Sequence, residues 1–368
     1  MLSAAAALSS ASAAAPAPAT AAATPPNIVF LLSDDVGFND YSLHGSPQIP
    51  TPNFDAIGAR GIILDRLYVQ PVCSPTRASF MTGRHVIHTG IYDPFAHGED
   101  NEHLNLNFTL LPRYLSTCCG YTPRMVGKWH LGANSLAATP TGRGFASHFG
   151  FAVGEEDHVD HSVCCANKTK SVYDFTDDLE PAVAFNGTDS TTAFAARAVE
   201  LLRAQAALGP AAPPLFLYVA FQDTHVPLEA SPELIARCMA NNATGGDEKR
   251  ATICGMALLL DEAIGNITAA LAETGLDKNT IVIAHSDNGG PVEGGFFNNN
   301  FPLRGGKASL WQVRARGRAG EGAVATRPPS PPTAPPLLPH PRVASGPRAS
   351  WRGRACPRAA PTSRRTCT

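Results

Sequence analysis

Three short apolar runs constrain the fold of this chain more than any other feature of its sequence. They are Asn27–Leu32, Leu215–Phe221 and Thr280–Ala284. Each is too short for a helix and lacks polar alternation, which is typical of strands buried on both faces. Two long stretches with apolar residues at helical spacing, Thr191–Leu208 and Lys249–Thr274, lie between them. This order predicts an α/β fold with a largely parallel central sheet and helices on both faces.

Oxygen-bearing side chains follow the first and the last of these runs. Asp34 and Asp35 follow the first, and Asp287 and Asn288 follow the last. In open parallel sheets, ligands bind beyond the carboxyl ends of the strands, where these side chains would meet. The structural alternative for Asp34 and Asp35 alone is that they cap a turn. The four together predict a site for a hard divalent cation such as Ca²⁺ or Mg²⁺.

A cysteine at a predicted helix start is the next candidate. In the segment Cys73-Ser-Pro-Thr-Arg77, Ser74 suits the N-cap position and Pro75 the first helical position. Cys73 would then lie where backbone N–H groups favour anions, with Arg77 one turn further on. The structural alternative for a single cysteine is a small buried hydrophobic residue.

Cationic and titratable side chains complete the candidate site. Lys128 and His130 belong to one short motif, and an extended backbone would place them on one face. His225 closely follows the second apolar run, and Lys307 lies in a glycine-rich segment. Each alone could be a solvated lysine or a packed histidine. Beside two acidic clusters, they predict a pocket for an anionic substrate.

These motifs resemble those of the type I sulfatases, of the alkaline-phosphatase-like superfamily. Cys73-Ser-Pro-Thr-Arg77 matches the C-x-P-x-R signature, and Gly127-Lys-Trp-His-Leu-Gly132 matches the second family signature. The resemblance covers about residues 27–312 and is nearest to arylsulfatase B (N-acetylgalactosamine-4-sulfatase) and its relatives. It implies an alkaline-phosphatase-like fold and a sulfuric ester hydrolase acting on a sulfated small molecule or glycan.

The resemblance also implies the cofactors. In sulfatases a separate formylglycine-generating enzyme oxidises the signature cysteine to formylglycine, and the hydrated aldehyde attacks sulfur and later expels sulfate. One Ca²⁺ would activate this nucleophile and polarise the sulfate oxygens. Its implied ligands are Asp34, Asp35, Cys73, Asp287 and Asn288.

The same resemblance implies a role for each remaining candidate. Arg77 would support the diol, while Lys128 and Lys307 would hold the negative charge of the transferring group. His225 would protonate the leaving oxygen, and His130 would act as base on the second hydroxyl of the diol.

Two departures from the family pattern carry expectations of their own. Asp160-His161 stands where the family has a Ser-His pair, and a carboxylate there would repel sulfate. After Trp311 the family continues into further strands and a smaller domain, whereas this chain becomes rich in Arg and Pro. We therefore expect a signal-like or disordered leader over 1–26, a C-terminally incomplete catalytic domain over 27–312, and a disordered tail over 313–368.

Composition bears on partners and compartment. Residues 313–368 hold 11 Arg, no Lys and the single acid Glu321, so the remainder of this chain of net charge −2 is acidic and gives no reason to expect nucleic-acid binding. No apolar stretch predicts a membrane span. Nine cysteines and five N-x-S/T sequons favour the secretory route, with an extracellular or lysosome-like destination. The sequons begin at Asn107, Asn167, Asn186, Asn242 and Asn266.

Two other functions stay open at this point. A phosphodiester or phosphonate hydrolase of the same superfamily would use the same nucleophile. A non-catalytic, glycan-binding protein with a sulfatase-like body would fit the altered C-terminal segment, although the full set of candidate catalytic residues argues against it.

Overall fold

The computed structural model describes residues 24–64, 66–95, 102–164, 171–241, 244–293, 297–311 and 318–320. All of these belong to the first of two units into which the chain divides, residues 1–323, and the second unit, 324–368, lies outside the described residues. The predicted leader is described only from Thr24, and the predicted tail only over 318–320. For the rest of those two segments the expectations remain predictions.

The described residues form eleven strands, seven α-helices and four short 3₁₀ helices. The strands are β1 Asn27–Ser33, β2 Ile62–Ile63, β3 Thr122–Gly127, β4 Ser147–Gly150, β5 Ser162–Cys164, β6 Ser171–Tyr173, β7 Thr176–Asp177, β8 Glu180–Pro181, β9 Leu215–Ala220, β10 Thr280–Ser286 and β11 Arg318–Gly320. The helices are α1 Pro52–Arg60, α2 Cys73–Thr82, α3 Val86–Thr89, α4 Leu111–Cys119, α5 Ser190–Ala207, α6 Pro232–Ala240 and α7 Glu248–Thr274. The 3₁₀ helices are Phe38–Asp40, Ser42–His44, Val183–Phe185 and Leu276–Asn279.

Nine of these strands form one sheet in the order β2-β11-β10-β1-β9-β3-β4-β7-β8, and β5 and β6 form a separate hairpin. The middle strands β10, β1, β9, β3 and β4 are parallel, and the outer strands are antiparallel. The predicted α/β fold is therefore confirmed, with the three apolar runs as its central strands. Because Ser33 pairs with Ser286 and Leu32 with Ala220, the loops after β1, β9 and β10 begin at one edge.

The sheet is buried on both faces, which explains why its central strands are continuously apolar. Val29 and Leu31 of β1 point to one side, into the core packed by α1, α5 and α7. Phe30 and Leu32 point to the other side, among residues of α2 and α4. Alternate residues of one strand thus enter two different cores, as the strand period of two requires.

Helix α7 is the longest helix and lies in the core. Its length and apolar composition would suit a membrane span, but 67% of its most apolar 18-residue stretch is buried inside the fold. That burial is typical of a core helix. The helix ends at Gly275, which adopts φ 71°, a left-handed conformation that glycine accommodates without strain.

One strand comes from the segment predicted to be a disordered tail. Arg318–Gly320 pairs antiparallel with β10 on one side and with β2 on the other. Among the described residues, β2 is therefore the outer strand of the sheet on this side. Its side chains Ile62 and Ile63 are exposed.

Candidate active site

The candidate site lies in the loops that follow β1, β9 and β10. Backbone hydrogen bonds join these loops: Asp34 N–H donates to Asp223 O at 3.0 Å, and Asp287 N–H donates to Ser33 O at 2.9 Å. The carboxyl groups of Asp34, Asp35 and Asp287 are almost entirely buried. The sheet therefore gathers three acidic side chains at one edge, as the sequence predicted.

Cys73 lies at the first turn of α2, beside Asp34. Its Sγ donates to Asp34 Oδ1 at 3.3 Å, and the residue is buried and outside any disulfide. Burial raises the pKa of the thiol well above its ordinary value, and the charges of Asp287 and Asp34 raise it further. The thiol is consequently protonated at neutral pH, and an unmodified Cys73 is a poor nucleophile.

The predicted start of α2 is wrong by two residues. Val72, not Ser74, occupies the N-cap position, with no side-chain cap. The Ser74 hydroxyl instead donates to His130 O at 3.0 Å and accepts from Phe95 N–H at 3.2 Å. Ser74 therefore fastens the start of α2 to the segments that carry His130 and Phe95.

Arg77 is completely buried and bonds to acidic residues from two loops. Its Nε and Nη2 donate to Asp287 Oδ2 at 3.1 and 2.8 Å, and Nη2 also donates to Asp34 Oδ2 at 3.2 Å. Nη1 donates to Lys128 O at 2.9 Å. The guanidinium group thus neutralises part of the acidic cluster and holds its carboxylates in place.

Lys128 and Lys307 place two further cations against the same carboxylates. Lys128 Nζ forms a short contact with Asp34 Oδ2, and Lys307 Nζ lies 2.8 Å from Asp35 Oδ2. Burial alone would raise the pKa of Asp34, but Lys128 and Arg77, among other charges, hold it well below its usual range. Burial and the neighbouring Asp34 raise the pKa of Asp287 to about 6.

His130 and His225 enter the site region from separate loops. His130 Nε2 lies 2.9 Å from Phe95 O, and its buried Nδ1 has no hydrogen-bond partner among the described residues. His225 Nδ1 lies 2.9 Å from Val226 O, and its Nε2 is 3.7 Å from Asp35 Oδ2. Burial, reinforced by the charge of Lys128, lowers the pKa of both imidazoles well below 6.5. Lys128 and His130 do not share a strand face as expected, because β3 ends at Gly127 and His130 adopts φ 54°.

The donor atoms fit a hard cation. Ligand-type atoms of Asp34, Asp35, Cys73 and His225 all lie within 4.8 Å of one another. Two buried oxygens nearby, Oδ1 of Asp287 and Oδ1 of Asn288, accept no hydrogen bond from any residue that the structure describes. Carboxylate and amide oxygens left without donors in a buried site are the ligands that Ca²⁺ or Mg²⁺ prefers. Asn288 also contacts Asp35 Oδ1 through its Nδ2, at 2.6 Å.

The Asp160-His161 pair has a structural role in the described part of the chain. Asp160 is exposed, and its Oδ1 accepts from Ser162 N–H at 2.8 Å. His161 is buried, with Nδ1 3.2 Å from Glu156 Oε1 and Nε2 3.2 Å from Phe185 O. The expected repulsion of sulfate by Asp160 stays a prediction.

Sequence reasoning missed a buried polar group that lies behind His225. His158, Gln222 and Asp223 are each at most 1% exposed, and His158 Nε2 is 3.2 Å from His225 O. Burial raises the pKa of Asp223 well above its usual range and lowers that of His158. The only sequence signal was the position of Asp223 shortly after a buried strand. His158 lies in a distant loop and belongs to no motif singled out in the sequence.

Together the fold and the site define a class. A parallel α/β sheet carries a cysteine at a helix start, a cation-type carboxylate cluster and several buried cationic side chains, which is the equipment of a hydrolase for anionic esters. The sequence model of the Sulfatase family matches residues 26–315. The chain belongs to the Sulfatase family, and the predicted resemblance is confirmed.

Known proteins similar to this chain include two mammalian sulfatases. It is 38% identical over 296 residues to mouse arylsulfatase J, covering 79% of this chain and 47% of the relative. It is 32% identical over 314 residues to rat N-acetylgalactosamine-6-sulfatase, covering 79% of this chain and 55% of the relative. The chain therefore spans about half the length of these curated relatives.

Solved structures are similar to this chain in fold. The crystal structure of Ps i-CgsB in complex with k-i-k-neocarrahexaose matches with a TM-score of 0.72 and 26% identity, over 81% of this chain and 66% of that one. The PsFucS1 sulfatase from Pseudoalteromonas sp. matches with a TM-score of 0.64 and 22% identity, over 81% of this chain and 62% of that one. The fold is accordingly that of sulfatases.

Proposed function

We propose that this chain hydrolyses sulfate esters at the site around Cys73. The observation that carries the proposal is the position of Cys73. Its sulfur contacts Asp34 at 3.3 Å within a compact cluster of metal-type donor atoms. Lys128 and Lys307 contact the carboxylates of the same cluster. A nucleophile position, a cation-type cluster and positive charge thus occur together, as the displacement of an anionic group requires.

The Cys73-Ser-Pro-Thr-Arg77 signature supports conversion of Cys73 to formylglycine. A buried thiol with a raised pKa is a weak nucleophile, so the unmodified side chain suits the reaction poorly. We propose that a formylglycine-generating enzyme oxidises Cys73 during maturation. The hydrated aldehyde then supplies a hydroxyl group in place of the thiol.

We also propose that one Ca²⁺ belongs to the site. Asp34, Asp35, Asp287 and Asn288 would hold it together with residue 73, and the unpartnered oxygens of Asp287 and Asn288 support that ligand set. When bound, the ion supplies a Lewis acid that polarises a sulfate oxygen. Arg77 keeps Asp34 and Asp287 in position through its buried hydrogen bonds.

The other side chains handle charge and protons. Lys128, Lys307 and the first turn of α2 bind the negative charge that develops on the transferring group. Val226 O accepts from Nδ1–H of His225, so Nε2 faces the site. His225 acts as an acid in its imidazolium form, in which Nε2 carries the second proton and donates it to the leaving oxygen. Phe95 O occupies Nε2 of His130, which leaves the lone pair of Nδ1 to accept a proton.

A direct assay tests the reaction class. The purified chain, co-expressed with a formylglycine-generating enzyme, is incubated with 4-nitrocatechol sulfate or bis(4-nitrophenyl) phosphate, with Ca²⁺ or after chelation. We expect Ca²⁺-dependent release from the sulfate, little from the phosphate diester, and none from Cys73→Ala. Preferential cleavage of the diester would support the phosphodiesterase alternative. Glycan binding without any turnover would support the non-catalytic one.

We propose a sulfated glycan as the natural substrate class and the secretory route as the setting. One relative is named an N-acetylgalactosamine-6-sulfatase, and one structural neighbour holds a neocarrahexaose. The sequon residues Asn107, Asn186 and Asn266 are exposed, while the other two sequons lie outside the described residues. Cys238 and Cys254 form a disulfide between α6 and α7, and disulfides persist in oxidising compartments.

A further inference from the structure

One buried histidine, His158, contacts the loop that carries His225. His158 lies in the connection between β4 and β5, far from His225 in sequence, and is fully buried. Its Nε2 is 3.2 Å from His225 O and 3.1 Å from Gln222 Nε2. Its Nδ1 is 3.5 Å from Asp223 Oδ1. One imidazole ring therefore contacts three of the four residues from Gln222 to His225.

Both ends of this contact are fixed to the rest of the fold. Asp223 Oδ2 accepts from Thr191 Oγ1 at 2.8 Å, at the first turn of α5. On the other side, His158 N–H donates to Glu229 Oε2 at 3.0 Å, and His158 O accepts from Ser190 N–H at 2.8 Å. His158 is thus clamped between α5 and the end of the His225 loop.

We infer that His158 is a positioning residue that sets the His225 imidazole against the leaving group. The inference rests on the proposed sulfatase function for its catalytic meaning and on the buried contacts for its geometry. The side chain of His225 has few close anchors: Nδ1 reaches Val226 O in its own loop and, at 3.8 Å, the half-exposed Glu155, and Nε2 lies 3.7 Å from Asp35 Oδ2. A small displacement of a proton donor costs orders of magnitude in rate.

Two substrates separate positioning from general stability. A phenolate such as nitrocatechol leaves without a proton, whereas the alcohol of a sugar sulfate needs one. We therefore expect His158→Leu to lower kcat on N-acetylgalactosamine 6-sulfate by about 30-fold and kcat on 4-nitrocatechol sulfate by less than about threefold. His158→Gln, which keeps an N–H donor near His225 O, should restore the sugar sulfate rate to within about threefold of wild type.

His161 provides the matched control. It lies three residues further along the same loop, is equally buried, and bonds to Glu156 and Phe185 O instead of the His225 loop. We expect His161→Leu to lower stability while leaving the ratio of the two kcat values near that of wild type. Equal losses on both substrates in His158→Leu, or the same change of ratio in His161→Leu, would overturn the inference.

A second readout does not depend on activity. Carbethoxylation of His225 by diethyl pyrocarbonate, followed by peptide mass mapping, should be about tenfold faster in His158→Leu than in wild type or His161→Leu, because the loop opens more readily. Unchanged reactivity in His158→Leu overturns the positioning role even where the chain is an active sulfatase. A different result would separate the two proposals. If the three proteins show the expected reactivity but the wild type hydrolyses neither sulfate, the proposed function is overturned and the positioning role is supported.

Discussion

Two buried aspartates, Asp261 and Asp287, show how the same side chain serves structure in one region and chemistry in another. Asp261 lies in α7, and its carboxylate accepts three hydrogen bonds: from Phe54 N–H at 2.8 Å, Asn53 N–H at 3.1 Å and Asn53 Nδ2 at 2.9 Å. These donors lie at the first turn of α1. Both oxygens of Asp261 are therefore satisfied, and the residue joins two helices.

Asp287 is buried to the same degree but is left incomplete. Its Oδ2 accepts twice from Arg77, while its Oδ1 has no partner among the described residues. Asp34 lies close enough to raise the pKa of Asp287 together with burial. A buried carboxylate with one free oxygen beside other carboxylates is costly unless a cation binds there. The two aspartates therefore differ in whether their oxygens are satisfied, more than in burial itself.

The largest expected effect concerns Cys73, the proposed nucleophile of the candidate site. We expect Cys73→Ala to lower sulfatase activity by at least about 1,000-fold, because the nucleophile is lost. A carbonyl-reactive probe should label the wild type and not this variant. Asp261→Asn, which changes only the structural region, should keep the label. Equal labelling of wild type and Cys73→Ala would contradict a formylglycine at this position.

The next largest effect should follow from removing one cation of the site. We expect Lys307→Met to lower kcat by about 100- to 1,000-fold, since a partly buried positive charge near the transferring group is lost. Lys278, an exposed lysine near the start of β10, gives the control Lys278→Met, whose kcat should stay near that of wild type. Steady-state kinetics on 4-nitrocatechol sulfate measures both. A loss confined to KM would mean that Lys307 binds the ground state and the transition state equally.

Ca²⁺ should stabilise the folded chain through Asp287 and not through Asp261. At 100 times its Kd, a ligand of the folded state stabilises by about 2.7 kcal/mol, which raises the Tm of a domain of this size by about 4–5 °C. Scanning calorimetry of the chelated protein with and without Ca²⁺ should show this rise in wild type and lose most of it in Asp287→Asn. Asp261→Asn should lower the starting Tm and keep the rise. A wild-type curve that ignores added Ca²⁺ would argue against the site.

The smallest effect concerns a buried histidine of the structural region. Burial lowers the pKa of His148 to about 4, and its Nε2 lies 3.1 Å from Gly127 O. The unfolded chain takes up a proton near pH 6.5, so stability is fully present above that pH and falls as the pH drops toward about 4. Between pH 7 and pH 4.5 the loss attributable to His148 amounts to about 2 kcal/mol. Urea unfolding at pH 7 and pH 4.5 should show a smaller difference in His148→Gln than in wild type, and an equal difference would reject this assignment.

Much of the architecture could be predicted from the sequence because apolar runs report burial directly. Leu215–Phe221 had no polar residue and became β9, and Lys249–Thr274 became α7 with Gly275 at its end. The start of α2 at Cys73 was predicted to within two residues. Local patterns are less reliable where tertiary contacts compete with them. Ser74 does not cap α2, because its hydroxyl bonds to His130 O and Phe95 N–H instead.

The candidate site could be predicted in part for the same reason. Strand ends placed Asp34 and Asp287 at one edge, and the two family signatures pointed to Cys73 and Lys128. Nothing in the sequence indicated that His158 would lie under His225, since these residues meet only through the fold of two distant loops. Likewise, no sequence pattern indicates which oxygen of Asp287 lacks a hydrogen-bond donor, because that depends on side-chain geometry.

A single-turnover experiment on Cys73→Ser tests the central claim, that residue 73 attacks sulfur, most directly. The serine hydroxyl would form a bond to sulfur as the bond from sulfur to the phenol oxygen breaks, and without a second hydroxyl it could not expel sulfate. We predict the release of one equivalent of nitrocatechol per chain and a mass increase of one SO₃ group on the peptide that contains residue 73. A burst with no modified peptide, sulfate attached to another residue, or no burst from a folded protein that binds Ca²⁺ would contradict the account.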